Sequence, residues 1–332
     1  MEEGNIGEEE PIISEREIFS LSGPVHLTSV DWNNFHHRTS IAASLVKGVY
    51  VLERDRQQGR QGPQAHAPPW WEFFHFQLNH VLIDDVDGSN FGAIYEFKNF
   101  AYPSAQNAPR YVIALRGTIK TRISIIRDLK LDLLCLCNKI HESSRFQLAM
   151  QALQNMVALA GAANVWLAGH SLGSAIALLG GKNMAKMGIL IESYLFNPPF
   201  LSSPIERIKN QKLKRGISMV KAGLAVALKG HQPRPQQGDS FVALPPWLPY
   251  LFVNPADPIC SEYIGHFGEK NKVEGIGTGK SVQISEALHL IPSAYLTVNL
   301  SESPSFKQAH GIHQWWNPIY RFQRELHNHK CS

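Results

Sequence analysis

Val165-Trp166-Leu167-Ala168-Gly169-His170-Ser171-Leu172-Gly173-Ser174-Ala175 is the stretch that decides the fold. An apolar run leads into Gly-His-Ser-Leu-Gly, and small and apolar residues continue from Leu172 to about Met187. Strand, sharp turn and helix in that order make the setting of a nucleophile elbow. The turn holds its serine in a strained backbone conformation. It brings the positions two before and two after the serine too close for side chains, so both are glycine, Gly169 and Gly173. It lifts the Ser171 hydroxyl clear of the sheet and leaves the Leu172 amide at a helix N-terminus, where a developing oxyanion would find it.

Outward from the elbow, the N-terminal side supplies the rest of a sheet. Tyr111-Val112-Ile113-Ala114-Leu115 is apolar without alternation, as in a strand buried on both faces. It ends in Arg116-Gly117-Thr118, where Thr118 can offer an amide and a hydroxyl as the second oxyanion donor. Ala93 to Phe97 is a further strand, joined to it through the Pro103–Pro109 loop. Between Thr118 and the elbow, residues 119–142 mix Ile and Leu with Arg, Asp and Lys, the composition of a candidate lid or of a fixed helix and strand. Ser143 and Ser144 offer an N-cap. Phe146, Met150, Leu153, Val157 and Ala160 follow helical spacing up to Gly161.

Earlier still, residues 1–15 carry five glutamates in the first ten positions and are expected to be a disordered leader. A helix is expected over Ser40–Tyr50. Adjacent His36 and His37 suit packing better than metal binding, because sequence neighbours rarely point at one ion. Residues 57–69, rich in Gly, Pro and Gln, predict a flexible loop. The aromatics of Trp70–Phe76 fit a wedge on the core better than a lipid-contacting rim.

Beyond the elbow, Ser193–Phe196 is the next strand, ending at Asn197-Pro198-Pro199. Residues 202–248 form an insertion without strand character. Between residues 205 and 235 it holds eight Lys or Arg against one Glu, with Ile217, Val220, Leu224 and Leu228 at helical spacing. Either a solvated basic insertion or a peripheral membrane contact fits. Tyr250–Val253 and Ala294–Leu300 are the last expected strands. Gly275–Gly279 lacks the strand and helix that a phosphate loop requires.

Composition sets the outer bounds. The 332 residues are 44% hydrophobic and 18% charged, ample for one large α/β domain over residues 16–332. A net charge of +4 is too small to argue for nucleic acid. The four cysteines show no metal-site spacing. No run of 18 apolar residues suggests a membrane span, and no signal sequence is recognised. A cytoplasmic protein is expected, with membrane or lipid-droplet contact as the peripheral alternative. No metal and no organic cofactor are called for.

A serine at neutral pH needs a base, and the base needs an acid to fix its tautomer. In α/β hydrolases these groups follow as Ser, Asp or Glu, then His, and an open sheet gathers its site at the C-terminal ends of its strands. Asp257 follows a strand 86 residues after Ser171, and His313 lies 56 residues further on. Asp239 is the rival acid, presented by no strand, and His310 the rival base.

Leu115-Arg-Gly-Thr118, Gly169-His-Ser-Leu-Gly173, Asp257 in Asn-Pro-Ala-Asp-Pro, and His310-Gly-Ile-His313-Gln-Trp-Trp316 together resemble the class 3 lipases, in particular a plant lipase-like branch. Some of that branch bear a GDSL esterase label, although no GDSL motif stands here. The resemblance covers roughly residues 90–320. It implies an α/β-hydrolase fold, a mostly parallel sheet flanked by helices, and hydrolysis of acyl esters of glycerolipids. It implies Ser171 as nucleophile, Asp257 as acid and His313 as base, with Thr118 and Leu172 as oxyanion donors. His313 is preferred over His310 because family members place the catalytic histidine before a His-x-x-aromatic pattern. An acyltransferase or thioesterase using the same site, and an inactive lipid- or protein-binding module, are the competing functions.

Overall fold

In the computed structural model, residues 14–99, 105–119, 140–200, 247–274 and 291–328 are described. Residues 120–139 of the candidate lid, nearly all of the basic insertion, the Gly275–Gly279 loop, Asp239 and residues 1–13 of the leader lie outside them.

Eight strands form one sheet in sequential order: β1 (Phe76–Ile83), β2 (Asn90–Phe97), β3 (Tyr111–Leu115), β4 (Val165–His170), β5 (Glu192–Phe196), β6 (Tyr250–Val253), β7 (Ala294–Asn299) and β8 (Phe322–His327). β3 through β7 run parallel, and the edge pairs β1–β2, β2–β3 and β7–β8 are antiparallel. Among the described residues four longer helices accompany it: α1 (Phe35–Gln57), α2 (Ser144–Ala160), α3 (Leu172–Lys186) and α4 (Glu262–Glu274). This is the α/β-hydrolase architecture expected from the sequence.

The central strands explain their own composition. Along β3, Ile113 and Leu115 join a core on one face with α2 and α3, while Val112 and Ala114 join a core on the other face. Along β4, Val165 and Leu167 take the first face, and Trp166 and Ala168 the second. Strands covered on both sides have no polar positions to alternate. α2 is capped where the sequence marks it: the Ser143 side chain accepts from the Phe146 amide, and Gly161 closes the helix at φ 82°.

The second face is covered by α1, which is longer than the expected Ser40–Tyr50. Its start is set by Asn34, whose side chain accepts from the amides of His36 and His37. The aromatic stretch after it is mainly core: Trp70, Trp71, Phe74 and Phe76 are buried, Phe73 alone among its aromatics is exposed, and Phe19 lies edge-on to Trp70 at 5.2 Å. Residues 57–69 are pinned. Buried Asp55 accepts from the amides of His66 and Ala67, and pairs with Arg60 at 2.7 Å. Satisfying that carboxylate with backbone donors fixes a segment whose composition alone suggests freedom. Among the described residues no helix is long and apolar enough to cross a membrane.

Trp166 sits between Trp32 and Tyr194, with ring centroids 5.9 and 4.9 Å away. Trp166→Ala should cost about 3–5 kcal/mol of unfolding free energy, read by urea denaturation. A loss below about 1 kcal/mol would show that this face is not packed as described.

Candidate active site

The strand ends assemble the site. Gly117 and Thr118 follow β3, Ser171 follows β4, Asn197 follows β5, Asp257 follows β6, and His310 follows β7. All lie at the C-terminal edge of the parallel sheet, where an open α/β sheet gathers its ligands.

Ser171 stands at φ 54°, ψ −123°, a region that residues with side chains rarely occupy. Its glycine neighbours are required by contact. A Cβ on Gly169 would lie 2.4 Å from the Gly173 carbonyl oxygen, and one on Gly173 would lie 2.3 Å from the Leu115 carbonyl oxygen. Leu172 opens α3, so its amide is among the first helical N–H groups, which have no partner within the helix. Ser171, Thr118 and His310 line a common cavity of about 700 Å³.

Asp257 is fully buried. One carboxylate oxygen accepts from His310 Nδ1 at 2.8 Å and from Asn197 Nδ2 at 2.7 Å; the other accepts from the Ile259 amide at 3.0 Å. Burial pushes its pKa up, but His310, Asn197 and the Ile259 amide outweigh that and hold it below the ordinary value. With Nδ1–H committed to Asp257, Nε2 of His310 is the nitrogen left to take up a proton. The His310 ring stacks on Phe306, with centroids 5.2 Å apart.

The expected base, His313, is not the histidine that Asp257 holds. Gly311 is extended (φ −71°, ψ 131°) and separates the turn that ends at His310 from the 3-10 helix Ile312–Trp316. The two histidines therefore sit on different turns. His313 lines the cavity beside Gly311, and burial together with Arg16, Lys47 and Lys307 lowers its pKa to about 4. The tail motif around it is a brace. Gln314 Nε2 donates to the carbonyls of Ala309 and Gly311, and Gln314 Oε1 accepts from Asn254 and Asn299. Trp315 Nε1 donates to Asn197 Oδ1 at 2.8 Å, and Asn197 Nδ2 also reaches the Ala309 carbonyl at 3.0 Å.

Two residues that the sequence did not mark belong to the site. Asn197, at φ 48°, joins Asp257, Ala309 and Trp315. Its only sequence signal is its place at the end of a strand. Tyr50 has none. Its hydroxyl accepts from the Gly117 amide at 2.7 Å and donates to His170 Nδ1 at 2.8 Å, while His170 Nε2–H donates to the His310 carbonyl at 2.7 Å. Burial raises the Tyr50 pKa to about 12; burial, with His310 beside it, lowers that of His170 to about 3. Neutral His170 suits this chain, since one ring nitrogen accepts and the other donates. The Gly117 amide is thereby engaged, while Thr118 and Ile119 next to it line the cavity. Among the described residues no cluster of His, Cys, Asp or Glu could hold a metal ion.

A sheet of this order with an elbow after β4 defines an α/β hydrolase. The model of the class 3 lipase family matches residues 112–204. A GDSL esterase/lipase of Arabidopsis thaliana is 48% identical over 349 aligned positions, covering 96% of this chain and all of that protein. The chain belongs to the class 3 lipase family, and with it to the hydrolases of lipase and esterase type. Among solved structures, a lipase from Rhizopus microsporus var. chinensis aligns over 88% of this chain and 86% of its own at 13% identity, with a TM-score of 0.38. The Yarrowia lipolytica LIP2 lipase aligns over 69% and 74% at 15% identity, with a TM-score of 0.35. Likenesses this distant add nothing to the assignment.

Two outcomes follow from this geometry. Asn197→Ala strips one donor from Asp257 and leaves the Trp315 N–H without its acceptor. It should lower the unfolding free energy by about 1–3 kcal/mol in urea titrations. His170 gives a pH dependence. Its folded pKa of about 3 lies below the ordinary 6.5, so in that window the unfolded chain binds the extra proton. Stability should fall as pH drops below the ordinary value, by roughly 3 kcal/mol between pH 7 and pH 4 from this residue. Unfolding curves of His170→Gln across the same range should show a shallower slope; an unchanged slope would remove His170 as its source.

Proposed function

We propose that the chain is a serine carboxylic ester hydrolase acting on acyl esters of lipids, glycerolipids among them, with Ser171 as nucleophile, His310 as base and Asp257 as the acid behind it. The observation that carries this reading is the 2.8 Å Asp257–His310 pair opening, with Ser171, onto one cavity. Family membership supports a lipid ester as substrate.

In the proposed reaction His310 Nε2 takes the Ser171 proton as Oγ attacks the ester carbonyl. Asp257, ionised and buried, stabilises the imidazolium that forms. The Leu172 amide, with the Thr118 amide or hydroxyl, receives the charge on the carbonyl oxygen. Loss of one such donor typically costs on the order of 100-fold in turnover. His310 then protonates the departing alcohol, and water, activated by the same imidazole, hydrolyses the acyl-enzyme and restores Ser171.

The test is a fluorophosphonate probe with peptide mapping, beside hydrolysis of a short-chain ester. Labelling should fall on Ser171, and Ser171→Ala should lower turnover at least about 10⁴-fold. His310→Ala should abolish labelling, whereas His313→Ala should retain it. Labelling that survives His310→Ala but not His313→Ala would restore His313 as base. Full ester hydrolysis by Ser171→Ala would overturn the mechanism.

A further inference from the structure

The cavity above Ser171 has a charge that ester hydrolysis by itself does not require. α1 turns one stripe toward it, Lys47, Tyr50, Val51 and Arg54, at the spacing of successive helical turns. Arg16 enters from the N-terminal side and Lys307 from the turn before His310. Four basic side chains thus line the cavity, against Glu17 as the one carboxylate among its described lining residues.

That carboxylate is already engaged. Glu17 pairs with Arg60 at 2.9 Å and lies 3.9 Å from Arg54. Among the described residues no ion pair reaches Lys47, Arg16 or Lys307. Lys47 instead sits over the Trp70 ring, 5.6 Å from its centroid. Two separate groups register the resulting field. Burial lowers the Lys47 pKa to about 8, with Arg16 and Arg54 adding to the fall and Glu17 opposing it. His313 is pushed down by burial and then by Arg16, Lys47 and Lys307. A half-enclosed cation without a counter-charge is costly, and a cleft lined by one sign concentrates ligands of the other. Leu21, Ile312 and Trp316 supply apolar wall for a chain in the same space.

We propose that the ester cleaved here carries an anionic group, a phosphate or carboxylate, seated between Lys47, Arg16 and Lys307 while its acyl carbonyl lies at Ser171. This rests on the hydrolase function proposed above and narrows its substrate class from neutral to anionic acyl esters.

The experiment uses the full chain in uncharged detergent, with two substrates of equal acyl chain: 1-oleoyl lysophosphatidate and 1-oleoylglycerol. Wild type should favour the phosphate-bearing ester in kcat/KM by about tenfold or more. Lys47→Gln should reduce that ratio by about tenfold. Should Lys47→Gln fail to fold, the double variant Arg16→Gln/Lys307→Gln removes two exposed side chains. It should lower the ratio about threefold at an unchanged melting temperature. Inorganic phosphate is the second arm. Competitive inhibition of 1-oleoylglycerol hydrolysis by phosphate would show that a free anion suffices. A preserved ratio without inhibition would show that the anion must be carried by the lipid. Either result supports the seat. A ratio near one in wild type that still labels at Ser171, or a ratio unmoved in both variants, overturns the proposal. If Ser171 does not label and neither ester is cleaved, the hydrolase function itself has failed.

Discussion

The contact between Gly173 and the end of β3 is the constraint on which the site depends. The Gly173 backbone lies against the carbonyls of Leu115 and Arg116 so closely that no side chain fits, and Gly169 lies as closely against Gly173. The start of α3 is thereby fixed against the loop that leaves β3. The same approach brings Gly117 beside Ser171: a Cβ on Gly117 would lie 2.8 Å from the Ser171 Cβ. The spacing between Ser171 and the Gly117-Thr118 loop is therefore set by backbone contact and not by side chains that could relax. The strain at Ser171 is held by its amide, which donates to the Phe196 carbonyl at 3.0 Å, and by the helix that begins one residue later.

The histidine arm is fixed by a different device. It hangs on a loop after β7, and loops of this kind are held only as well as their polar groups are satisfied. Here the Ala309 carbonyl receives donors from both Asn197 and Gln314, and the His310 carbonyl receives one from His170. Gln314 is itself locked by Asn254 and Asn299, and it is fully buried. Losing any member would strand a buried donor or acceptor, so the network tolerates few arrangements of the loop. This is how a mostly polar turn achieves the precision that packing gives the elbow.

The division between local and distant constraints also decides what could be read from the sequence. The elbow was legible because its glycines, serine and following helix are contiguous. Asp257 was legible because a short apolar strand precedes it. The choice between His310 and His313 was not, because it depends on an extended Gly311 and on Asn197, more than one hundred residues upstream. Three residues of separation look equivalent until a distant side chain selects one of them. Tyr50 was invisible for the same reason, reaching His170 across 120 residues. The edge strands β1 and β8 escaped notice because most of their residues remain partly or fully exposed, leaving no apolar signature. Residues 57–69 misled in the other direction. Their Gly and Pro content is that of a free loop, yet one buried carboxylate, Asp55, ties it down.

α1 links the two halves of the chemistry. Tyr50 holds the loop after β3 through the Gly117 amide, and Lys47 and Arg54, on either side of it along the same stripe, line the cavity. α1 is anchored along its length by Ile41, Leu45, Val46 and Val49 in the core beneath. It cannot turn to withdraw its cations without dragging Tyr50 from Gly117 and His170. Two of the cavity's four basic side chains are thus carried by the same element that holds the loop after β3. A positive field also favours the negative charge that develops on the carbonyl oxygen during acyl transfer. In the proposed reaction positive charge gathers on His310, and this places a demand on Asp257. A buried carboxylate with its pKa held low, in direct contact with the imidazole, is the arrangement that meets that demand. His310, Asn197 and the Ile259 amide hold that carboxylate ionised against a burial that by itself would favour its protonated form.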